Sequence, residues 1–286
     1  MFDRFNLMEQ YAAASYCELN VNTTGSKVTC SAGNCPLVEA ADTNTEVEFI
    51  NVGATDVTGF VATDHTNRLV VISFRGSATL RNFITDVVFS KSESDICANC
   101  NVHDGFWISW AEARGRVLTA LIDSAKKRTG YQMAIVGHSL GGAIATMCAA
   151  EMRKKGWSAE LYTFGAPRVG DESFSQFVTG QGSNFRVTHY NDIVPRLPPL
   201  SFGNKARRES DSDVKHALGK RGQFDGFGFV HISPEYFIRS GNNVTVKWDD
   251  IDTYFGLVTF KGNTGQAVAS IDAHRWYFNA ISKCAS

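Results

Sequence analysis

Gln132-Met133-Ala134-Ile135-Val136-Gly137-His138-Ser139-Leu140-Gly141-Gly142-Ala143-Ile144 is the stretch whose reading decides the fold. The apolar run 132–136, bounded by Gly130 and Gly137, reads as a buried strand. The small-residue run Gly142–Met152 reads as a helix. Between them stands G-x-S-x-G, which puts Ser139 on a sharp strand-to-helix turn with its hydroxyl above a sheet. Side chains at 137 and 141 would collide with the crossing helix and strand, so glycine fits both positions. The positive end of the following helix points at the serine. An incidental Gly-rich loop would lack the flanking strand and helix.

The rest of the chain bounds the setting. At 286 residues it can hold one large domain or two small ones, and 43% hydrophobic residues fill a sizeable core. A net charge of -1 gives no electrostatic surface for nucleic acid. Met133–Met152 carries no formal charge until Glu151, but His138-Ser139 and several glycines interrupt it. It therefore reads as strand plus helix rather than a membrane span. Met1–Phe5 lacks the apolar core of a secretory signal.

Cysteines point to export. Cys30 and Cys35 lie close together, as do Cys97 and Cys100, while Cys17 and Cys284 sit near the two ends. Six cysteines allow about 15 pairings, and spacing alone does not choose among them. Zinc at Cys97-x-x-Cys100 would need two more ligands at matching spacing, and none is evident; no metal or cofactor is expected. Cys148 reads as a buried free thiol in the helix after the turn. Asn22-Thr23-Thr24 and Asn243-Val244-Thr245 are glycosylation sequons. A mature secreted form is expected, with Met1 an added or trimmed start.

Along the chain, strands are expected over 47–52, 57–63, 68–74, 132–136, 159–164 and 185–190. Helices are expected over 1–16, 105–129, 140–155 and 171–179. Strands alternating with helices predict an α/β fold with a mainly parallel sheet, and no linker divides it, so 1–286 reads as one domain. Residues 204–229 break the pattern, with six basic residues (Lys205, Arg207, Arg208, Lys215, Lys220, Arg221) against four acidic ones (Glu209, Asp211, Asp213, Asp225). They read as a solvated, mobile insertion, in preference to a processing site at Lys220-Arg221 or Arg207-Arg208.

A serine hydroxyl needs a base to take its proton and an acid to fix that base's tautomer. On a G-x-S-x-G turn these follow in the order acid, then histidine. Asp192, just past the expected strand 185–190, is the favoured acid over an ordinary Asx turn. His274, in Ile271-Asp272-Ala273-His274-Arg275-Trp276-Tyr277-Phe278, is the favoured base. His189 inside a strand and His216 inside the insertion are poorer candidates, and His231 is the runner-up. His138 adjoins the serine, so its side chain is expected to point elsewhere.

With these residues assembled, the chain resembles the fungal class 3 lipases, an α/β-hydrolase family that includes feruloyl esterases. The likeness rests on Phe74-Arg75-Gly76-Ser77, His103-Asp104-Gly105-Phe106, Gly137–Ala143, Gly165-Ala166-Pro167-Arg168-Val169-Gly170, Asn191–Pro199, Ser233-Pro234-Glu235-Tyr236 and Ala273–Phe278. It implies Ser139, Asp192 and His274 as the triad, with Ser77 and the Leu140 N–H as the oxyanion hole. It implies disulfides Cys17–Cys284, Cys30–Cys35 and Cys97–Cys100, and a groove at Phe106, Pro167, Val194, Leu197, Ile271 and Arg275. Two departures stand out: the connection at 204–229 is longer than the family's, and Arg275 occupies a position that is apolar in many members.

Leu80, Phe83, Ile84, Val87 and Val88 form one helical stripe within 80–88, expected over an ordinary surface helix to be the family's amphipathic lid. Asp86 matches a lid residue that, in some family members, holds the oxyanion serine in the open form. The stripe favours a lid-gated lipase at a lipid–water interface over a soluble feruloyl esterase, whose lid is more polar. A non-catalytic lipid-binding relative would lack a triad member. A monomer acting on glyceride esters is the expectation.

Overall fold

In the computed structural model, the described residues are 1–20, 24–77, 90–200 and 228–285. Helix α1 (Phe2–Ala14) and the short α2 (Pro36–Ala40) lead into the strands β1 (Thr43–Val52), β2 (Val57–Asp64) and β3 (Leu69–Phe74). After β4 (Lys91–Glu93) and β5 (Asn101–His103) come α3 (Asp104–Lys127), β6 (Gln132–His138), α4 (Leu140–Lys154), β7 (Ala159–Phe164), α5 (Glu172–Gly180) and β8 (Asn184–His189). Strands β9 (Glu235–Ile238) and β10 (Ile251–Tyr254) close the set.

Eight strands form one sheet in the order β1-β2-β3-β6-β7-β8-β9-β10, with β4 and β5 forming a separate ribbon. The run β3-β6-β7-β8-β9 is parallel, while β1-β2-β3 and β9-β10 pair antiparallel. The expected mainly parallel α/β sheet is present, as a mixed sheet with antiparallel edges.

Alternation along β3 shows why the sheet sits in the middle. All six residues are buried, as expected for a strand covered on both faces. Val70, Ile72 and Phe74 join the core containing Trp110 and Leu121 of α3 and Met147 of α4. Leu69 and Val71 join the opposite core, with Phe5, Met8 and Tyr11 of α1. Helix α4 is buried from Gly141 through Met152. Its run of Gly and Ala lets it lie close against the sheet and α3, beginning where β6 ends.

The disulfides are Cys17–Cys284, Cys30–Cys35 and Cys97–Cys100, with Cys148 buried and free. The first ties the residues after α1 to the segment that carries His274. No helix among the described residues is long and apolar enough to cross a membrane.

The helices and strands expected from the sequence are present within a few residues. Strand β8 ends at His189 rather than Tyr190, whose φ of 35° turns the chain out of the sheet. Residues 80–88 and 204–227 lie outside the described residues. The insertion's expected solvation does not extend to Phe229, which is 4% exposed and carries the Lys91 ammonium 4.7 Å above its ring.

Candidate active site

The site is assembled at the carboxyl ends of β6, β7 and β8. Ser139 follows β6 directly and has φ 57° and ψ -130°, a left-handed backbone that costs a non-glycine residue about 1–3 kcal/mol. The turn is held by its neighbours. The Ser139 N–H donates to the Phe164 carbonyl at 2.9 Å, tying it to the end of β7.

A Cβ at Gly137 would lie 2.2 Å from the Gly141 carbonyl oxygen, and one at Gly141 would lie 2.2 Å from the Phe74 carbonyl oxygen. Both glycines of the motif are therefore demanded by backbone crossing. Leu140 opens α4, so its N–H has no acceptor within the helix.

Asp192 sits just past β8 and is fully buried. Three donors converge on it. His274 Nδ1 lies 2.8 Å from Oδ2, the Tyr277 hydroxyl donates to Oδ2 at 2.7 Å, and the Val194 N–H donates to Oδ1 at 2.9 Å. Burial, reinforced by the adjacent carboxylate, pushes the Tyr277 hydroxyl well above the usual phenol range, so it remains a donor.

With its proton on Nδ1, His274 presents a bare Nε2. Nε2 of His274 and Oγ of Ser139 are both buried, and neither has a hydrogen-bond partner among the described residues. Both residues line one open cavity of about 280 Å³, with Ser77, Tyr16, His138, Arg275 and Lys283 on its wall. A hydroxyl and an imidazole nitrogen with a free lone pair thus face one space. This arrangement suits attack on a carbonyl.

Gly165 completes the packing from beneath. Its φ is 59°, and a Cβ there would lie 2.5 Å from the Tyr277 hydroxyl, 2.9 Å from Asp192 Oδ2 and 2.9 Å from His274 Cε1. Gly165→Ala is expected to displace the acid and base together and lower kcat on the order of 100-fold. KM should stay near the parent value. Steady-state kinetics on a soluble ester checks this, and parent-like kcat would contradict it.

The other candidates scatter. His189 is enclosed between the Ala273 and Ser240 carbonyls, and His231 Nε2 meets the Pro195 carbonyl at 2.6 Å. Burial, followed by Arg186 and Arg168 nearby, holds His231 well below the usual imidazole range. Neither histidine lines the cavity that holds Ser139.

Of the groove candidates, Arg275 lines that cavity. Phe106 stacks on His103 at 4.1 Å, and Pro167 borders a separate void of about 10 Å³ beside Arg186 and His231. Val194 is fully buried, while Leu197 and Ile271 are half-buried. The lid candidates Leu80, Phe83, Ile84, Asp86, Val87 and Val88 lie outside the described residues, as does Asn22. Asn243 is exposed on a turn with φ 59°.

Sequence reasoning missed Tyr16, Tyr277 and the engagement of His138. The His138 ring stacks on His274 at 4.4 Å instead of pointing away from the site. Among the described residues no cluster of His, Cys, Asp and Glu could hold a metal ion.

A model described as "Lipase (class 3)" matches residues 71–202, and one described as "Lipase 3 N-terminal region" matches residues 1–47. Secreted mono- and diacylglycerol lipase A of Penicillium camembertii is 41% identical over 281 residues, spanning 96% of this chain and 84% of that protein. Secreted mono- and diacylglycerol lipase 1 of Fusarium solani is 36% identical, spanning 98% of this chain and 77% of that protein. The crystal structure of mono- and diacylglycerol lipase from Aspergillus oryzae superposes with a TM-score of 0.86 at 38% identity, covering 99% of this chain and 98% of that one.

Proposed function

The chain belongs to the class 3 lipase family, and from that premise we propose that it is a secreted enzyme hydrolysing mono- and diacylglycerol esters through Ser139, His274 and Asp192. The observation that carries this reading is the shared cavity, where a buried serine Oγ faces the same space as the free Nε2 of an aspartate-held histidine.

The chemistry runs in two halves. Ser139 Oγ attacks the ester carbonyl as His274 Nε2 takes its proton, and Asp192 stabilises the imidazolium. The carbonyl oxygen gathers negative charge against the N–H groups of Ser77 and Leu140, each such donor worth about 2.7–4 kcal/mol of barrier. His274 then gives the proton to the departing alcohol oxygen as the C–O bond breaks. Water repeats the sequence on the acyl-serine, releasing the fatty acid and restoring the Ser139 hydroxyl.

Residues 80–88 are proposed as a lid whose apolar stripe turns to a lipid–water interface. The groove proposed from the family resemblance runs over Phe106, Pro167, Val194, Leu197, Ile271 and Arg275, of which Arg275 lines the Ser139 cavity. Three disulfides and an exposed sequon at Asn243 support an exported, glycosylated protein, which we take to act as a monomer. The restriction to mono- and diacylglycerols rests on what the Penicillium, Fusarium and Aspergillus relatives are named for.

Rates on matched mono-, di- and triacylglycerol emulsions, beside a soluble feruloyl ester, test the reading. Mono- and diacylglycerol turnover should exceed that of triacylglycerol and of the feruloyl ester by on the order of tenfold or more, the size set by one or two pocket contacts. Preferred turnover of the feruloyl ester would overturn the glyceride assignment. A short-chain ester taken across its solubility limit tests the lid. A rise in rate above the limit is expected, and smooth saturation would contradict gating.

A further inference from the structure

We propose that Tyr16 and His138 are positioning residues for the reaction, tying the oxyanion segment Gly76-Ser77 to the backbone of the general base through one neutral imidazole. The proposal rests on the triad reading above.

The connections can be followed atom by atom. His138 Nε2 lies 2.9 Å from the His274 carbonyl oxygen. A carbonyl only accepts, so the proton is on Nε2. Nδ1 is therefore an acceptor, and the Tyr16 hydroxyl, 2.7 Å away, donates to it. That leaves the Tyr16 oxygen free to accept, and it packs directly against Gly76. Each donor and acceptor thus fixes the direction of the next, from Tyr16, seated against Gly76, through His138 to His274.

Burial favours the neutral ring. Tyr16 is 5% exposed and His138 2%. Desolvation, then the neighbouring His274, hold His138 well below the usual imidazole range. This matters because the two rings stack at 4.4 Å with 30° between planes. When His274 takes the serine proton it becomes a cation. A charged ring stacked on it would oppose that step, and a neutral one does not.

Gly76 shows how tightly the hydroxyl is seated. A Cβ there would lie 2.1 Å from the Tyr16 hydroxyl and 2.9 Å from the His138 carbonyl oxygen. The glycine of Phe74-Arg75-Gly76-Ser77 thus admits a hydroxyl that arrives from just beyond α1.

Tyr16→Phe keeps the ring and removes only the hydroxyl. The expected result is a fall in kcat of about 10- to 100-fold with KM within about twofold, the scale of a slightly misplaced catalytic group. The rate of Ser139 labelling by an alkyl phosphonate should fall in parallel. In ¹⁵N spectra, His138 should keep its Nε2–H tautomer, held by the His274 carbonyl, while its Nδ1 signal shifts on losing the Tyr16 donor.

At position 138, glutamine can still donate to His274 and accept from Tyr16, whereas leucine can do neither. His138→Gln should therefore retain at least tenfold more kcat than His138→Leu at matched thermal stability. This pair decides the question if Tyr16→Phe does not fold.

Parent-like kcat and labelling in folded Tyr16→Phe would overturn the proposal, as would equal kcat for His138→Gln and His138→Leu. Failure of the parent to label at Ser139 would instead overturn the triad reading beneath it.

Discussion

Ser139→Ala is expected to lower ester turnover about a million-fold while the protein stays folded, the loss found when a triad serine is removed. The fold should survive because Ser139 Oγ has no hydrogen-bond partner among the described residues, so its removal orphans nothing there. The strained backbone at φ 57° is held by the Phe164 carbonyl and the glycines around it rather than by the hydroxyl. Initial rates on a soluble ester, set beside a thermal melt, check both halves. Residual turnover within about 100-fold of the parent would remove Ser139 from the chemistry.

The second large effect belongs to the acid. Asp192→Asn is nearly isosteric, yet about a 10⁴-fold loss of kcat is expected, because the change reverses the histidine's tautomer. The Val194 N–H requires an acceptor at the Oδ1 position, which places the amide oxygen there. The amide NH₂ then faces His274 and Tyr277. Tyr277 can rotate its hydroxyl to accept. His274 Nδ1 must also accept, which moves the ring proton to Nε2 and leaves no lone pair for the serine. Kinetics of the folded variant tests this, and a loss smaller than about 100-fold would mean that another group sets the tautomer.

Legibility in the sequence follows the range of the interactions. The nucleophile is readable because the strand, turn and helix that strain it are contiguous, with the collisions that demand Gly137 and Gly141 within a few residues of each other or at the end of the neighbouring β3. Asp192 and His274 are readable from chemical order and from the end of a strand. Tyr277 and Tyr16 are not, because their partners lie 85 and 122 positions away, and neither residue carries a local signature of its role. Tyr16 in particular lies near the end of a buried stretch whose other aromatic residues belong to the core.

Strands β9 and β10 escape periodicity for a different reason. Each has four residues, and β9 begins with a buried glutamate, Glu235, that pairs with Arg186 across the sheet at 3.5 Å. A buried ion pair defeats an apolar pattern. The helices α3 and α4, long and strongly patterned, were legible almost to their ends.

The most direct test of the central claim is to catch the acyl-enzyme. The folded protein would be mixed with a slowly deacylating ester, quenched in acid, digested and read by mass spectrometry. One acyl group is expected on the peptide containing Ser139, absent from Ser139→Ala. Turnover with no acyl mass at any time, or an acyl group on a different residue, would contradict it.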